Sequence, residues 1–276
     1  MTTRTTQMKL AMGHIAMTLV LGLIAGPALA HEQGGEGGDH TPQSPACRGL
    51  PNHSQLLTAL EAARSQSNGG FNLNMWASVV NRDGVVCAVA FTGTNRGSQW
   101  PGSRVISAQK ANTANAFSLP MLALSTANLY AAVQPGGTLY GLADSNPVDT
   151  GVAYEGPASD FGQSDDPMVG RRIGGINTFG GGLALYNSTG TLVGAIGASG
   201  DTSCADHNIA WRVRHALNFD FVPAGVNAVG DDNINYQGKV SVPSLPNDFS
   251  HPICKIGGID SVTAISANLP PVQKLQ

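Results

Sequence analysis

The chain has 276 residues, of which 15 are Lys or Arg and 18 are Asp or Glu, giving a formal net charge of −3. Such a weakly charged, slightly acidic protein lacks the basic surface that binds nucleic acid or an anionic membrane. Only 12% of the residues are charged, whereas 35 are glycine. We therefore expect one hydrophobic core connected by many tight turns.

Residues 1–30 have the pattern of a secretory signal peptide. Arg4 and Lys9 precede a largely apolar run, and the segment ends in Ala-Leu-Ala, a small-residue cleavage pattern. We expect export to the periplasm or the extracellular space, with cleavage before His31. No stretch has the about 20 unbroken apolar residues that a membrane span requires.

The first half of the exported chain predicts a leader, three helices and one hairpin. Residues 31–46 are rich in Gly, Pro and polar side chains and predict a disordered leader. Apolar residues at helical spacing then predict a helix that is capped by Ser54. Two β-rich runs flank residues 81–84 and predict a hairpin. The runs SRVISAQKANTANAF and LPMLALSTANLYAAV predict two helices separated at Pro120.

The second half begins with residues 144–174, a polar segment without periodicity that is typical of a functional loop or lid. A second hairpin around residues 187–190 and a helix capped by Asp201 or Thr202 follow. The order of the elements predicts a layered α+β domain, an antiparallel sheet covered by helices.

The predicted domain occupies residues 47–222, and residues 223–276 predict an irregular C-terminal extension. Two of the four cysteines lie near the ends of these segments, so we expect disulfides to fasten the leader and the extension. The four are Cys47, Cys87, Cys204 and Cys254. In an oxidising compartment an even number favours disulfides, and three pairings are open. We favour Cys47–Cys87 with Cys204–Cys254, and Cys87–Cys204 stays an alternative.

The stretch SGDTSCADHNIAWRVRH brings chemically active side chains to one helix face. Cys204, His207, Trp211 and His215 follow each other at intervals of three and four residues. Cys204 and His207 have two alternative interpretations, as a pair of metal ligands or as a nucleophile with its base. A disulfide at Cys204 is favoured over both, because oxidised pairs persist in exported proteins.

Four motifs, AQKANTANAF, AAVQPGGTLYGL, FGGGLALYNSTGTLVGAIGASGD and ADHNIA, resemble those of the GlcG/HbpS-like family, the haem-degrading domain family. The resemblance covers about residues 54–220. It implies a profilin-like α/β sandwich that forms homo-oligomers, and some members bind haem or related tetrapyrroles. The chain departs from the family in its 144–174 segment, its extension, its cysteines and the sequence Asp206-His207-Asn208, where relatives commonly have two acids.

The resemblance also implies candidate cofactor-binding residues. A threonine of the Lys-Ala-x-Thr stretch contacts the iron in the haem-binding branch, and this role transfers to Thr113. Lys110 would then pair with a haem propionate as a point charge. His207 is the reserve axial ligand, since imidazole binds iron more firmly than a hydroxyl does. We expect the ligand beside the helix that carries Lys110 and Thr113, on the side reached by residues 144–174.

Two functional hypotheses follow. The first is an exported protein that binds haem or another tetrapyrrole without catalysing a reaction. The alternative is an enzyme that acts on a small organic molecule, with residues 144–174 as a lid and Lys110, Asp206 and His207 as polar groups. A purely structural oligomer is the third interpretation, and the sequence leaves open whether the protein is an enzyme.

Overall fold

The computed structural model describes residues 44–237 and 249–275. The signal-peptide pattern and the leader up to residue 43 lie outside the described residues. The helices are α1 (His53–Arg64), α2 (Ser103–Phe117), α3 (Thr150–Ala153), α4 (Ser203–Ala216) and α5 (Thr263–Ala267). The strands are β1 (Trp76–Asn81), β2 (Val86–Phe91), β3 (Gly182–Tyr186), β4 (Leu192–Ser199), β5 (Lys255–Ile256) and β6 (Ile259–Asp260).

The centre of the fold is a four-stranded sheet with the order β2-β1-β4-β3. All of its pairs are antiparallel, and the two predicted hairpins supply its four strands. β1 and β4 lie in the middle, with Val79 opposite Ile196. β5 and β6 form a separate two-stranded ribbon in the C-terminal extension.

Helices cover both faces of this sheet. α1 and α4 pack on one face, where Leu60 and Ile209 share a core with Val79. α2 packs on the opposite face, where Ala108 joins the core around Val80. Val79 and Val80 therefore point to opposite layers, as the two-residue period of a strand requires. The predicted layered α+β class is confirmed.

Glycines in the sheet let α2 approach the backbone of two strands. A Cβ at Gly197 of β4 would overlap the carbonyl oxygen of Ser107, and a Cβ at Gly182 of β3 would overlap that of Lys110. Only glycine permits such a close approach of backbone to backbone. α2 therefore packs directly against the backbone of the glycine-rich hairpin.

The prediction of a helix after Pro120 is wrong. Residues 119–133 form turns and a 3₁₀ helix at Ala131–Val133. Three of their backbone amides donate to carbonyls distant in sequence: Ala123 to Ala224, Thr126 to Gly182, and Ala131 to Ser250. Tertiary hydrogen bonds have replaced the local ones on which the helical pattern depends.

The helix caps are partly as expected. α1 is capped by Asn52, which forms a capping box with Gln55, so the prediction of Ser54 is wrong by two residues. α4 is capped by Thr202, one of the two predicted residues, whose side chain accepts a hydrogen bond from the amide of Ala205.

Both predicted disulfides are present. Cys47–Cys87 joins the segment before α1 to β2 with a Cα–Cα distance of 5.4 Å. Cys204–Cys254 joins α4 to the C-terminal extension with a Cα–Cα distance of 6.0 Å. Among the described residues no helix has the length and apolar character needed to cross a membrane.

We expect replacement of Cys47 and Cys87 by serine to lower the free energy of unfolding by about 4 kcal/mol, because the bridge spans 40 residues and restricts the unfolded chain. Denaturant titration of parent and double variant under non-reducing conditions measures this difference. Equal unfolding midpoints with equal slopes would contradict the expectation.

Candidate functional site

A buried ion pair links α2 to the start of α4. The Lys110 Nζ lies 2.7 Å from a carboxylate oxygen of Asp206 and donates a second hydrogen bond to the carbonyl of Ala198 at 3.1 Å. The other Asp206 oxygen accepts from the amide of Asp201. Burial raises the pKa of Asp206 to about 6, and the charge of Lys110 opposes that rise. Lys110 is therefore engaged within the protein.

Thr113 lies one turn further along α2 and is also buried. Its hydroxyl donates to the carbonyl of Gln109 at 2.8 Å and accepts from the amide of Asn177 at 2.9 Å. The single hydroxyl proton of a threonine is thereby used. In this arrangement Thr113 holds the segment before β3 against α2.

His207 lies on another side of α4 and is fully buried. Neither ring nitrogen has a partner with full hydrogen-bond geometry in the part of the chain that the structure describes, and the Asn233 side chain is the polar group that interacts with the ring. The ring packs 5.9 Å from that of Trp211, measured between centroids. Burial lowers the pKa of His207 to about 3, so the side chain is neutral at pH 7. No hydrogen bond joins it to Lys110 or Thr113 among the described residues.

The side chain of Cys204 is bonded to Cys254 and not available to His207. In this oxidised state it acts neither as a metal ligand nor as a nucleophile. His251 lies beside the disulfide, and its ring and the two sulfurs have their potential ligand atoms within 4.8 Å of one another. Because the two sulfur atoms are bonded to each other, they are not thiolate ligands for a metal ion.

Residues 144–174 are fastened over α2. Val148, Met168 and Ile173 pack into the core on that face of the sheet. The buried guanidinium of Arg104 on α2 forms a bidentate ion pair with Asp166, which also accepts from the amides of Gly162 and Met168. The predicted functional loop is an ordered cover with its own core contacts.

A cleft of about 520 Å³ opens between this cover and the start of α2. Its walls are largely apolar and aromatic, and a cation stands at its rim. The lining residues are Trp76, Asn95, Arg96, Gly97, Pro101, Gly102, Arg104, Val105, Tyr154, Ala158 and Phe161.

Two side chains of the cleft have unused polar groups. The indole nitrogen of Trp76 is buried and has no hydrogen-bond partner in the described ranges. Tyr154 is 59% exposed and carries a phenolic oxygen at the entrance. Sequence reasoning missed this cleft, because its walls come from β1, the turn after β2 and residues 154–161. The only local signal is the aromatic and basic run RGSQWPG at residues 96–102.

The family model described as haem degrading protein HbpS-like matches residues 52–214, more than half of the chain. The chain belongs to the HbpS-like family. The match ends within α4, so the C-terminal extension lies outside it. No curated protein matches the sequence significantly.

Solved structures similar to this HbpS-like chain include a PduOC–haem complex, with 25% identity and a TM-score of 0.42 over 60% of this chain and 91% of that one. A Klebsiella pneumoniae protein, ORFY, of the DUF336 family has 23% identity and a TM-score of 0.41, covering 59% and 86%. HbpS has 16% identity and a TM-score of 0.37, covering 66% and 98%.

We expect Lys110→Met to lower the free energy of unfolding by about 3–5 kcal/mol, because it leaves a buried carboxylate without its counterion. The matched control is Arg171→Met, which removes the ion pair with Glu155 where both side chains are half exposed. Exposed pairs contribute at most about 1 kcal/mol. Urea titration compares both variants with the parent, and similar losses in the two would contradict this assignment.

The stability should also fall as the pH decreases from 6.5 towards 4. Burial lowers the pKa of His207 to about 3 and that of His251 to about 4. Below pH 6.5 the unfolded chain therefore binds two histidine protons that the folded chain does not, each worth up to about 1.4 kcal/mol per pH unit. The raised pKa of Asp206, about 6, acts in the opposite direction, because the folded chain takes up one proton there, and it offsets only one of the two histidines.

His207→Gln removes one of these two protons. We expect the unfolding free energy of this variant to depend less steeply on pH between 6.5 and 4 than that of the parent. Urea midpoints at several pH values measure the slopes. Parallel slopes in parent and variant would show that His207 does not titrate differently in the two states.

Proposed function

We propose that this protein is an exported haem- or tetrapyrrole-binding protein of the HbpS-like type. The observation that carries the proposal is the family match over residues 52–214, whose description names haem. Export is supported by the signal-peptide pattern of residues 1–30 and by two disulfides, which persist in oxidising compartments.

We place the ligand in the cleft between α2 and residues 154–161. This is the side of α2 on which the sequence predicts the ligand, and its volume is typical of small-molecule sites. The aromatic rings of Trp76 and Phe161 offer flat apolar contact to a macrocycle. Arg96, exposed at the rim, supplies a cation for an acidic side arm.

Tyr154 is the proposed metal-binding residue of the cleft. A tyrosine oxygen is one of the ligand types that proteins use for haem iron, and this side chain is accessible without rearrangement of the core. Bound haem would supply one-electron and oxygen chemistry. The residues of the chain bind and orient the macrocycle, and the fastened cover excludes water from one side of the cleft.

Thr113, Lys110 and His207 form the second proposed contact set, with Thr113 or His207 at the metal and Lys110 at a propionate. All three are buried, and the first two have intramolecular partners. Haem would reach them only after α2 separates from the segment before β3. The cleft requires no such separation and is the preferred location.

Homo-oligomer formation remains a proposal that rests on the resemblance to the family. Segments of the same chain already pair with both outer strands of the sheet. The amide of Val86 on β2 donates to the carbonyl of Arg171, and that of Tyr186 on β3 donates to the carbonyl of Phe219. These contacts cover one end of each outer strand.

Titration of the purified protein with haemin tests the proposal. We expect a Soret shift that saturates near one equivalent, and an affinity roughly tenfold lower in Tyr154→Phe with loss of the spectrum of oxygen-ligated iron. Tyr140→Phe is the matched control, since Tyr140 is exposed and does not line the cleft. Thr113→Val and His207→Gln should titrate as the parent does.

Each other outcome has a defined meaning. A changed spectrum in Thr113→Val or His207→Gln, with a normal Tyr154→Phe, would move the ligand to the second contact set. No saturable change in the parent would reject haem binding. The enzyme with residues 144–174 as a lid would then be the function to test.

A further inference from the structure

The first residue of α4 contacts a histidine from the C-terminal extension. The Ser203 Oγ lies 2.8 Å from the Nε2 atom of His251. The two residues are 48 positions apart in sequence, and His251 lies outside the family match. Ser203 is partly exposed, whereas His251 is buried. The hydroxyl of a partly exposed serine thus lies against a buried imidazole.

The hydrogen bonds define the direction of this contact. The other ring nitrogen of His251, Nδ1, lies 2.6 Å from the carbonyl oxygen of Pro252. A carbonyl oxygen only accepts, so Nδ1 carries the proton. In the neutral ring Nε2 is then an acceptor, and the Ser203 hydroxyl donates to it. This is the arrangement of a nucleophile, its base and an orienting acceptor.

The base is held in place from several directions. Its backbone amide donates to the carbonyl of Asn235, and its ring packs 5.0 Å from that of Tyr130. The Cys204–Cys254 disulfide joins the neighbour of Ser203 to the residue three positions after His251. Burial lowers the pKa of His251 to about 4, so the imidazole is neutral at pH 7 and its Nε2 lone pair is free to accept the hydroxyl hydrogen bond.

The surroundings of Ser203 suit an acyl group. Ser203 is at the N-terminus of a 14-residue helix, where the helix dipole favours negative charge. The amide of Gly180 donates to the Ser203 Oγ at 2.6 Å. The adjacent Phe179 is 51% exposed, and its ring lies 6.1 Å from that of Tyr130. The ring of Tyr130 therefore contacts both Phe179 and the imidazole of His251.

We propose that Ser203 and His251 form a nucleophile–base dyad that hydrolyses esters with a small acyl group. The Ser203 Oγ bonds to the ester carbonyl carbon while its proton passes to His251 Nε2. The carbon–oxygen bond of the ester then breaks, and the alcohol leaves with that proton. Water, deprotonated by the same nitrogen, releases the acid and restores the hydroxyl.

Covalent labelling of the full chain with both disulfides intact tests this proposal. A fluorophosphonate probe should form one adduct per chain, which peptide mass spectrometry locates at Ser203. We expect no adduct in Ser203→Ala and at least roughly hundredfold slower labelling in His251→Gln. Hydrolysis of 4-nitrophenyl acetate should decline in the same order. Ser145→Ala, at an exposed serine in a turn, is the control and should label at the parent rate.

Labelling of the parent protein alone decides whether Ser203 is a nucleophile, so this conclusion does not depend on the stability of any variant. Absence of an adduct on the folded parent, or an adduct only at another serine, would overturn the dyad. Labelling of His251→Gln at the parent rate would overturn the role of the base. This proposal is independent of haem binding. If the parent reacts with the probe but shows no saturable change with haemin, the haem proposal is rejected and the dyad stands.

Discussion

The buried ion pair between Lys110 and Asp206 is the contact on which the three layers depend. α2 and α4 cover opposite faces of the sheet, and the Lys110–Asp206 pair joins them beside Ala198 near the end of β4. Lys110 reaches that point because α2 lies directly on the glycines of β3 and β4. Its ammonium joins Asp206 and the carbonyl of Ala198. A buried pair of this kind is stable only while both partners are present and hydrogen bonded, so it fixes the relative position of the layers.

The polar side chains around this ion pair are already hydrogen bonded within the protein, so a ligand must bind to other groups. Internal hydrogen bonds of Lys110, Asp206 and Thr113 hold α2 to β4, to α4 and to the segment before β3. The groups that the two proposals use lie in other parts of the described chain. The cover over α2 creates the cleft with Tyr154 and the indole of Trp76, and the C-terminal extension brings His251 to Ser203. Both candidate sites therefore lie where segments distant in sequence meet, away from the ion pair.

The sequence predicts the parts of the fold that local patterns determine. Both hairpins, α2, α4 with its Thr202 cap and the pairing of all four cysteines follow from turn residues, periodicity and compartment. Residues 119–133 have an equally good helical pattern, but their amides bond to residues far away in sequence. The cleft and the Ser203–His251 contact escape prediction for the same reason, since each joins segments whose separation exceeds any periodic signal.

The first turns of α4 both join the layers of the domain and contact the C-terminal extension. Successive residues of a helix are rotated by about 100°, so neighbours in the sequence face different surroundings. Asp206 turns to Lys110, whereas Ser203, Cys204 and His207 face the extension and the turn before β3. The side that carries Asp206 bonds to α2 through Lys110, and the adjacent side is joined to the extension by the Cys204–Cys254 disulfide. Because the disulfide and the dyad share this side, the bond that secures the extension also fixes the base beside its hydroxyl.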